Sequence, residues 1–253
     1  MNYVILPLES TFNTRDLGGY PCSHNKMMKW GKCLRSDRLS FATENDKNFL
    51  VEKYNLKKII DLREDFEGNE SPCGFKNDSR VEYINIPFDL KNNLISVFTE
   101  NDNASSEHNF VSSFYIEILK KSQTNVKNVL DEILSVKDGT VLFNCTEGKD
   151  RTGIVSMLLL GICGVSKKEI ATNYMQSSTN LKYNVNNKFK TDNELHKIDK
   201  EILMQFKETK PETIEIVYDM IINDYGSFEN YYKEIGFSNE SIEEFRENFS
   251  TNV

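Results

Sequence analysis

"TVLFNCTEGKDRTGIVSMLLLGICG", residues 140–164, holds a strand-like run, a short polar loop and a helix-like run with no spacer between them. "TVLF" is apolar and rich in β-formers, and Asp138-Gly139 just before it punctuates the chain. "GIVSMLLLGICG" is apolar on nearly every side, as suits a helix buried against a sheet. Between them lie one cysteine, one glycine, one lysine and one arginine within seven residues. A loop from strand end to helix start gathers backbone N–H groups at the positive end of a helix, a geometry that binds oxyanions.

Upstream of this stretch the chain alternates. Thr43 with Asp46 three residues on can cap a helix over "ENDKNFLVEKYN", with Phe49 and Leu50 toward a core. "LKKIIDL" (Leu56 to Leu62) and "VEYINIPF" (Val81 to Phe88) read as strands, the second apolar on both faces. Helical periodicity runs from Phe110 to Leu134. Downstream, Ser166 and Glu169 form a capping-box pattern, and helices are expected to open near Pro211, after Ser227 and after Ser238. From Ser177 to Asn193 the chain is polar and rich in Asn and Lys, which predicts a flexible segment or an inserted cap. Tyr225, Phe228, Tyr231 and Tyr232 recur at helical spacing and are expected to pack. Strands alternating with helices, then a helical tail, predict an α/β fold with a mainly parallel central sheet flanked by helices. The 253 residues suffice for one core, so residues 1–253 are expected to form a single domain.

Composition bounds the function. A net charge of −8 gives a repulsive field toward nucleic acid or an anionic membrane, so an anionic substrate needs a local site. No 18-residue apolar run and no cationic leader is present, which predicts a cytoplasmic protein without an integral membrane segment. Cys22, Cys33, Cys73, Cys145 and Cys163 are odd in number and form no CxxC pair, so reduced thiols are expected.

Within the loop, a helix N-terminus favours the thiolate of Cys145. Gly148 lets the backbone curl. Arg151, six positions after the cysteine, can fork two phosphate oxygens, a contact lysine would not reproduce. Thiolate, amide cradle and guanidinium make a site for nucleophilic displacement at phosphorus. Of the five cysteines, only Cys145 has arginine six places later. The competing reading, a buried core thiol beside a solvated turn, leaves the Gly-Lys-Asp-Arg-Thr run without a purpose.

"CTEGKDRTG" resembles the phosphate-binding loop of cysteine-dependent phosphatases, and "GKDRTG" in particular that of the bacterial atypical protein-tyrosine phosphatases. "FNTRDLGGY" (Phe12 to Tyr20), "KCLRSDRLS" (Lys32 to Ser40), "IIDLRED" (Ile59 to Asp65) and "YGSFENYYKEIGFS" (Tyr225 to Ser238) occur in that family's order. The resemblance implies the cysteine-phosphatase fold with a helical C-terminal part and a metal-free, cofactor-free hydrolysis. The implied substrates are phosphotyrosine proteins and also phosphoserine, phosphothreonine or phosphoinositide esters. By the same resemblance Cys145 attacks phosphorus to give a cysteinyl-phosphate, and Arg151 with the amides of Thr146, Glu147, Gly148 and Lys149 binds the phosphoryl oxygens. Thr152 assists the departing thiolate, with a plain helix-terminal hydroxyl as the alternative.

The general acid is open between Asp150 in the loop, Asp89 after "NIPF", and Asp61 at a strand end. Lys149 adds a cation that would suit a second phosphate on an inositol ring, unless it is merely solvated. Arg15, Asp16, Arg35 and Arg63 fall in the family-like stretches, where a buried ion pair is at least as good an account as substrate contact. By analogy, residues 178–210 are expected to form a helical lid that sets pocket depth. One departure stands out: the family pattern has His before the nucleophile, and this chain has Asn144. A neutral amide supplies hydrogen bonds but no charge, which predicts a more alkaline rise in activity. In the extreme it predicts a phosphoprotein-binding module without turnover.

Overall fold

The computed structural model describes residues 4–88, 110–182 and 209–253. The strands are β1 (Arg15–Asp16), β2 (Pro21–Cys22), β3 (Lys26–Met28), β4 (Cys33–Ser36), β5 (Leu56–Asp61), β6 (Glu82–Asn85), β7 (Thr140–Asn144) and β8 (Ser250–Asn252). The helices are α1 (Glu44–Asn48), α2 (Asp65–Glu70), α3 (Phe110–Lys121), α4 (Gln123–Ser135), α5 (Asp150–Ile162), α6 (Lys167–Leu181), α7 (Pro211–Tyr225), α8 (Phe228–Glu234) and α9 (Asn239–Phe249).

The central sheet has the order β1-β4-β7-β5-β6. β4, β7, β5 and β6 run parallel, and only the edge strand β1 is antiparallel. This is the mainly parallel α/β sheet expected from the alternation of elements. Register aligns Ser36 with Asn144, Asn144 with Asp61, and Asp61 with Asn85, so the carboxyl ends of four strands form one edge. Open α/β sheets place their sites there. β2, β3 and β8 make a second, three-stranded sheet that ties the C-terminus to the chain's first hairpin.

β7 shows why the sheet needs cover on both faces. Val141 and Phe143 enter one apolar cluster with α3, α4, α5 and the C-terminal helices. Leu142, between them, enters the other with Leu34, Leu39, Leu50, Leu56, Ile59 and Phe75. Alternation at period two puts neighbours on opposite faces, and neither face is left to water. α5 lies in the first cluster with nearly every residue buried, which its all-round apolar sequence required. Gly161 allows this packing, because a Cβ there would overlap the Phe228 ring.

Local signals set most boundaries. Thr43 and Asp46 form the reciprocal capping box of α1, which continues as a π-helical turn through Phe49–Lys53. Ser166, Ser227 and Ser238 each cap the helix that follows them, and Pro211 opens α7. Three readings change. The periodicity from Phe110 to Leu134 is two helices broken at Ser122, since the apolar faces of α3 and α4 both meet the sheet cluster. β6 is a four-residue edge strand and shorter than "VEYINIPF". Polar residues from Ser177 do not start a loose segment: α6 runs to Leu181, with Ser177 and Asn180 buried because they bond Arg15 and Asn13. Residues 183–208, most of the expected lid, and Asp89 lie outside the described residues. Among the described residues, no helix is long and apolar enough to cross a membrane.

Candidate active site

β7 ends at Asn144 and α5 begins at Asp150, so Cys145 to Lys149 form the loop at the carboxyl edge of the sheet. Gly148 has φ +65°, and a Cβ there would overlap the Ser36 carbonyl oxygen, so both backbone angle and space require glycine. Behind the loop, four successive carbonyls are held. The Arg38 amide donates to Thr146 O at 3.2 Å. Asn13 Nδ2 donates to Glu147 O at 2.8 Å and Gly148 O at 3.1 Å. Arg35 Nη2 donates to Gly148 O at 2.7 Å and Lys149 O at 3.4 Å. In a planar trans peptide the N–H points opposite to the C=O. Drawing these carbonyls to the rear therefore turns the amides of Glu147, Gly148, Lys149 and Asp150 to the front, as an anion cradle requires.

Cys145 is 2% exposed, at the floor of this cradle. A thiolate there lies in the fields of Arg35, Lys149 and Arg151, and its charge favours the protonated form of each. The side chain of Arg151 is 6% exposed and grips Glu67 of α2: Nη1 donates to Oε2 at 2.6 Å and Nη2 to Oε1 at 2.9 Å. Nη1 also donates to Leu62 O at 3.2 Å, and the Thr146 hydroxyl donates to Glu67. Burial opposes ionisation of Glu67, but hydrogen bonds and charge from Arg151 outweigh it and bring the carboxyl down to about 2. Burial likewise opposes the Arg151 charge, and Glu67 more than restores it. Glu67 thus fixes the guanidinium beside the loop through its two arms.

Lys149 is not solvated. It is 1% exposed, with Nζ 3.4 Å from Glu147 Oε2 and 3.8 Å from Asp150 Oδ2. Asp150 sits on the first turn of α5 with its side chain 22% exposed, and its Oδ1 accepts from the Tyr115 hydroxyl. Tyr115 in turn lies 2.9 Å, hydroxyl to hydroxyl, from Tyr174. Thr152 is fully buried, and its hydroxyl oxygen has no hydrogen-bond partner.

Asp61 is held in a structural ion pair: Arg63 forks it at 2.9 Å and 2.7 Å, and the Tyr83 hydroxyl reaches it at 3.1 Å. The Asn144 side chain makes only long contacts, 3.4 Å from Nδ2 to Asp61 Oδ1 and to Cys145 O, and its Oδ1 is buried without a partner. Asp16 receives the amides of Gly18 and Gly31 at 2.8 Å each. Of the four charged residues for which an ion pair was an open reading, Arg63 makes one. Arg15 and Arg35 bond only neutral groups, because the acceptors nearest them are backbone, amide and hydroxyl oxygens.

Sequence reasoning missed Glu67, Asn13, Tyr115 and Tyr174. Glu67 carried a capping-box signal with Glu64, which it also fulfils. Nothing in spacing links it to Arg151, 84 positions on. Asn13 lay inside a family-like stretch, and Tyr115 lay unremarked within the helical periodicity from Phe110 to Leu134.

A family model described as "Tyrosine phosphatase family" matches residues 6–251. A tyrosine-protein phosphatase of Nostoc commune is 36% identical over 147 residues, which cover 57% of this chain and 48% of the relative. A Cupriavidus necator protein also named for tyrosine-protein phosphatase is 27% identical over 175 residues, covering 68% of this chain and 63% of the relative. The chain thus spans about half to under two thirds of the length of these relatives. Among solved structures, P. aeruginosa TpbA bound to phosphotyrosine superposes with a TM-score of 0.35 at 15% identity, over 60% of this chain and 73% of that one. The match across nearly its whole length shows that the chain belongs to the tyrosine phosphatase family.

Proposed function

We propose that the chain is a cysteine-dependent phosphomonoesterase that acts on phosphotyrosine in proteins. The observation that carries this reading is the loop between β7 and α5, which follows Cys145 and precedes Arg151 and whose four carbonyls are held from behind, leaving the amides free to receive an anion.

Sγ of Cys145, as thiolate, attacks phosphorus and forms an S–P bond. The P–O bond to the tyrosyl oxygen breaks, and its electron pair leaves with that oxygen, which takes a proton from the Asp150 carboxyl. Water then attacks phosphorus, its proton goes to the Asp150 carboxylate, and the S–P bond breaks to give phosphate and the thiolate. The loop amides and Arg151 stabilise the equatorial oxygens in both steps. The unpartnered Thr152 hydroxyl donates to the departing sulfur. Tyr115 holds Asp150 beside the loop, which supports Asp150 as the acid. Activity on phosphoinositides is a second reading that rests on the family resemblance, because Lys149 is buried and already paired with Glu147 and Asp150. The site holds phosphoserine and phosphothreonine esters by the same phosphoryl contacts.

Phosphate release from a phosphotyrosine peptide, a phosphoserine peptide and an inositol lipid, each against Cys145→Ser, tests the reading. Turnover that vanishes with the sulfur supports it. Phosphopeptide binding without any turnover in the unaltered protein would replace it with a binding module.

A further inference from the structure

Six cationic side chains are buried among the described residues: Arg15, Arg35, Lys58, Arg63, Lys149 and Arg151. Four have a carboxylate partner, namely Lys58 with Glu132 and Glu82, Arg63 with Asp61, Lys149 with Glu147 and Asp150, and Arg151 with Glu67. Arg15 and Arg35, both 0% exposed, have none. Their partners are neutral. Arg15 donates to Asn13 O at 3.0 Å, to Asn13 Oδ1, to Asn173 O at 2.8 Å and to Ser177 Oγ at 2.9 Å. Arg35 donates to Asn173 Oδ1 at 2.6 Å and to the two loop carbonyls described above. The Nε of each is buried with no acceptor.

A buried charge without a counter-charge is costly, and a fold keeps one only where something else supplies the opposite sign. Burial pulls both guanidinium groups down, Arg35 to about 10 and Arg15 well below its usual value, where the like charge of Arg35 adds to the effect. The groups facing them offer little relief. Asp37, the carboxylate whose charge acts on Arg15, makes no ion pair with it and is occupied by the amides of Phe12 and Asn13. What both arginines do face is the rear of the loop. Arg35 holds Gly148 and Lys149 directly, and Arg15 holds Asn13, which holds Glu147 and Gly148.

We infer that Arg15 and Arg35 are positioning residues of the phosphate loop whose missing counter-ion is the anion in the cradle, the Cys145 thiolate and the phosphoryl dianion. The pair tethers the loop so that its amides face forward, and it leaves its own charge uncancelled for the substrate. This rests on the phosphatase reading for the identity of the anion, but the charge argument applies to any oxyanion bound there. It also accounts for a loop that attracts phosphate in a chain of net charge −8.

Supplying the missing carboxylate from the protein tests this. Asn173→Asp places it on Arg35 Nη1 with almost no change of shape, and Ser177→Asp places it beside Arg15 one helical turn on. Thermal melting and calorimetric titration with inorganic phosphate and vanadate are the readouts. At least one variant is expected to melt higher than the unaltered protein while binding both anions about tenfold or more weakly, with kcat/KM falling in step. A purely structural role would not raise stability and lower anion affinity together. If neither variant shows that combination, whether through unchanged affinity or lowered stability, the inference is wrong. Cys145→Ser separates the two readings: retained turnover in that variant removes the phosphatase account and leaves the anion titrations to decide the arginine pair on their own.

Discussion

Replacing Glu67 by glutamine removes one charge and keeps the shape of the side chain. In the native protein that carboxylate accepts from both arms of Arg151 and from the hydroxyl of Thr146, and the Glu64 amide donates to it at 2.9 Å. The variant leaves a buried guanidinium with neutral acceptors only, the costly half of a broken buried pair. The carboxyl stands at about 2 against an ordinary 4.5, and that difference corresponds to roughly 3 kcal/mol of stability at neutral pH. Its sign follows from a folded value lying below the unfolded one. The contribution is complete above the unfolded value, and it is lost as the pH falls from about 4.5 toward about 2. Glu67→Gln is therefore expected to lower the melting temperature at neutral pH by about 6–12 °C for a chain of this size. The gap between the two proteins should shrink to about half or less near pH ~3. Melting curves of both proteins across this range are the assay. A gap that stays constant with pH, or no gap at neutral pH, would refute the claim that Arg151 is held by an ionised Glu67.

Three further outcomes follow from the geometry. Asp150→Asn is expected to lower kcat on a phosphotyrosine peptide by about 100- to 10,000-fold. It should cost much less on an aryl phosphate whose phenol is acidic enough to leave unprotonated, and equal losses on both substrates would remove Asp150 as the acid. Tyr115→Phe, which deletes the hydroxyl that Asp150 accepts from, should lower kcat by about tenfold with KM nearly unchanged, the cost of one charge-assisted hydrogen bond. A loss confined to KM would contradict that role. Gly148→Ala forces a Cβ against Ser36 at φ +65°, so phosphate binding measured by calorimetry should be lost while the melting temperature falls by about 2–12 °C, the equivalent of about 1–3 kcal/mol of local strain.

The parts of the site that one sequence displays are those contiguous in it. Residues 140–164 were legible because β7, the loop and α5 follow one another and each carries its own signal: β-formers, then Cys145 and Gly148, then an apolar run. Capping serines at 166, 227 and 238 marked helix starts by chemistry local to four residues. The scaffold of the loop was not legible, because Asn13, Arg35 and Glu67 reach it from positions 79 to 135 residues away. Arg15 and Arg35 read as charges in search of ion pairs, and only their buried surroundings show that the carboxylate is missing. Ser177 and Asn180 misled in the opposite way. Hydropathy sends them to the surface, whereas their hydrogen bonds to Arg15 and Asn13 hold them inside. The break at Ser122 escaped notice because α3 and α4 both send apolar residues into one core cluster, so the hydrophobic pattern runs on across it.

The central claim is a covalent bond between phosphorus and the sulfur of Cys145. Rapid denaturing quench of the protein during turnover of a radiolabelled phosphotyrosine peptide, followed by peptide mapping, tests it most directly. Label bound through the peptide that contains Cys145, and absent from Cys145→Ser, is the result predicted. Turnover that leaves no label on that peptide, or label on a different residue, would contradict it.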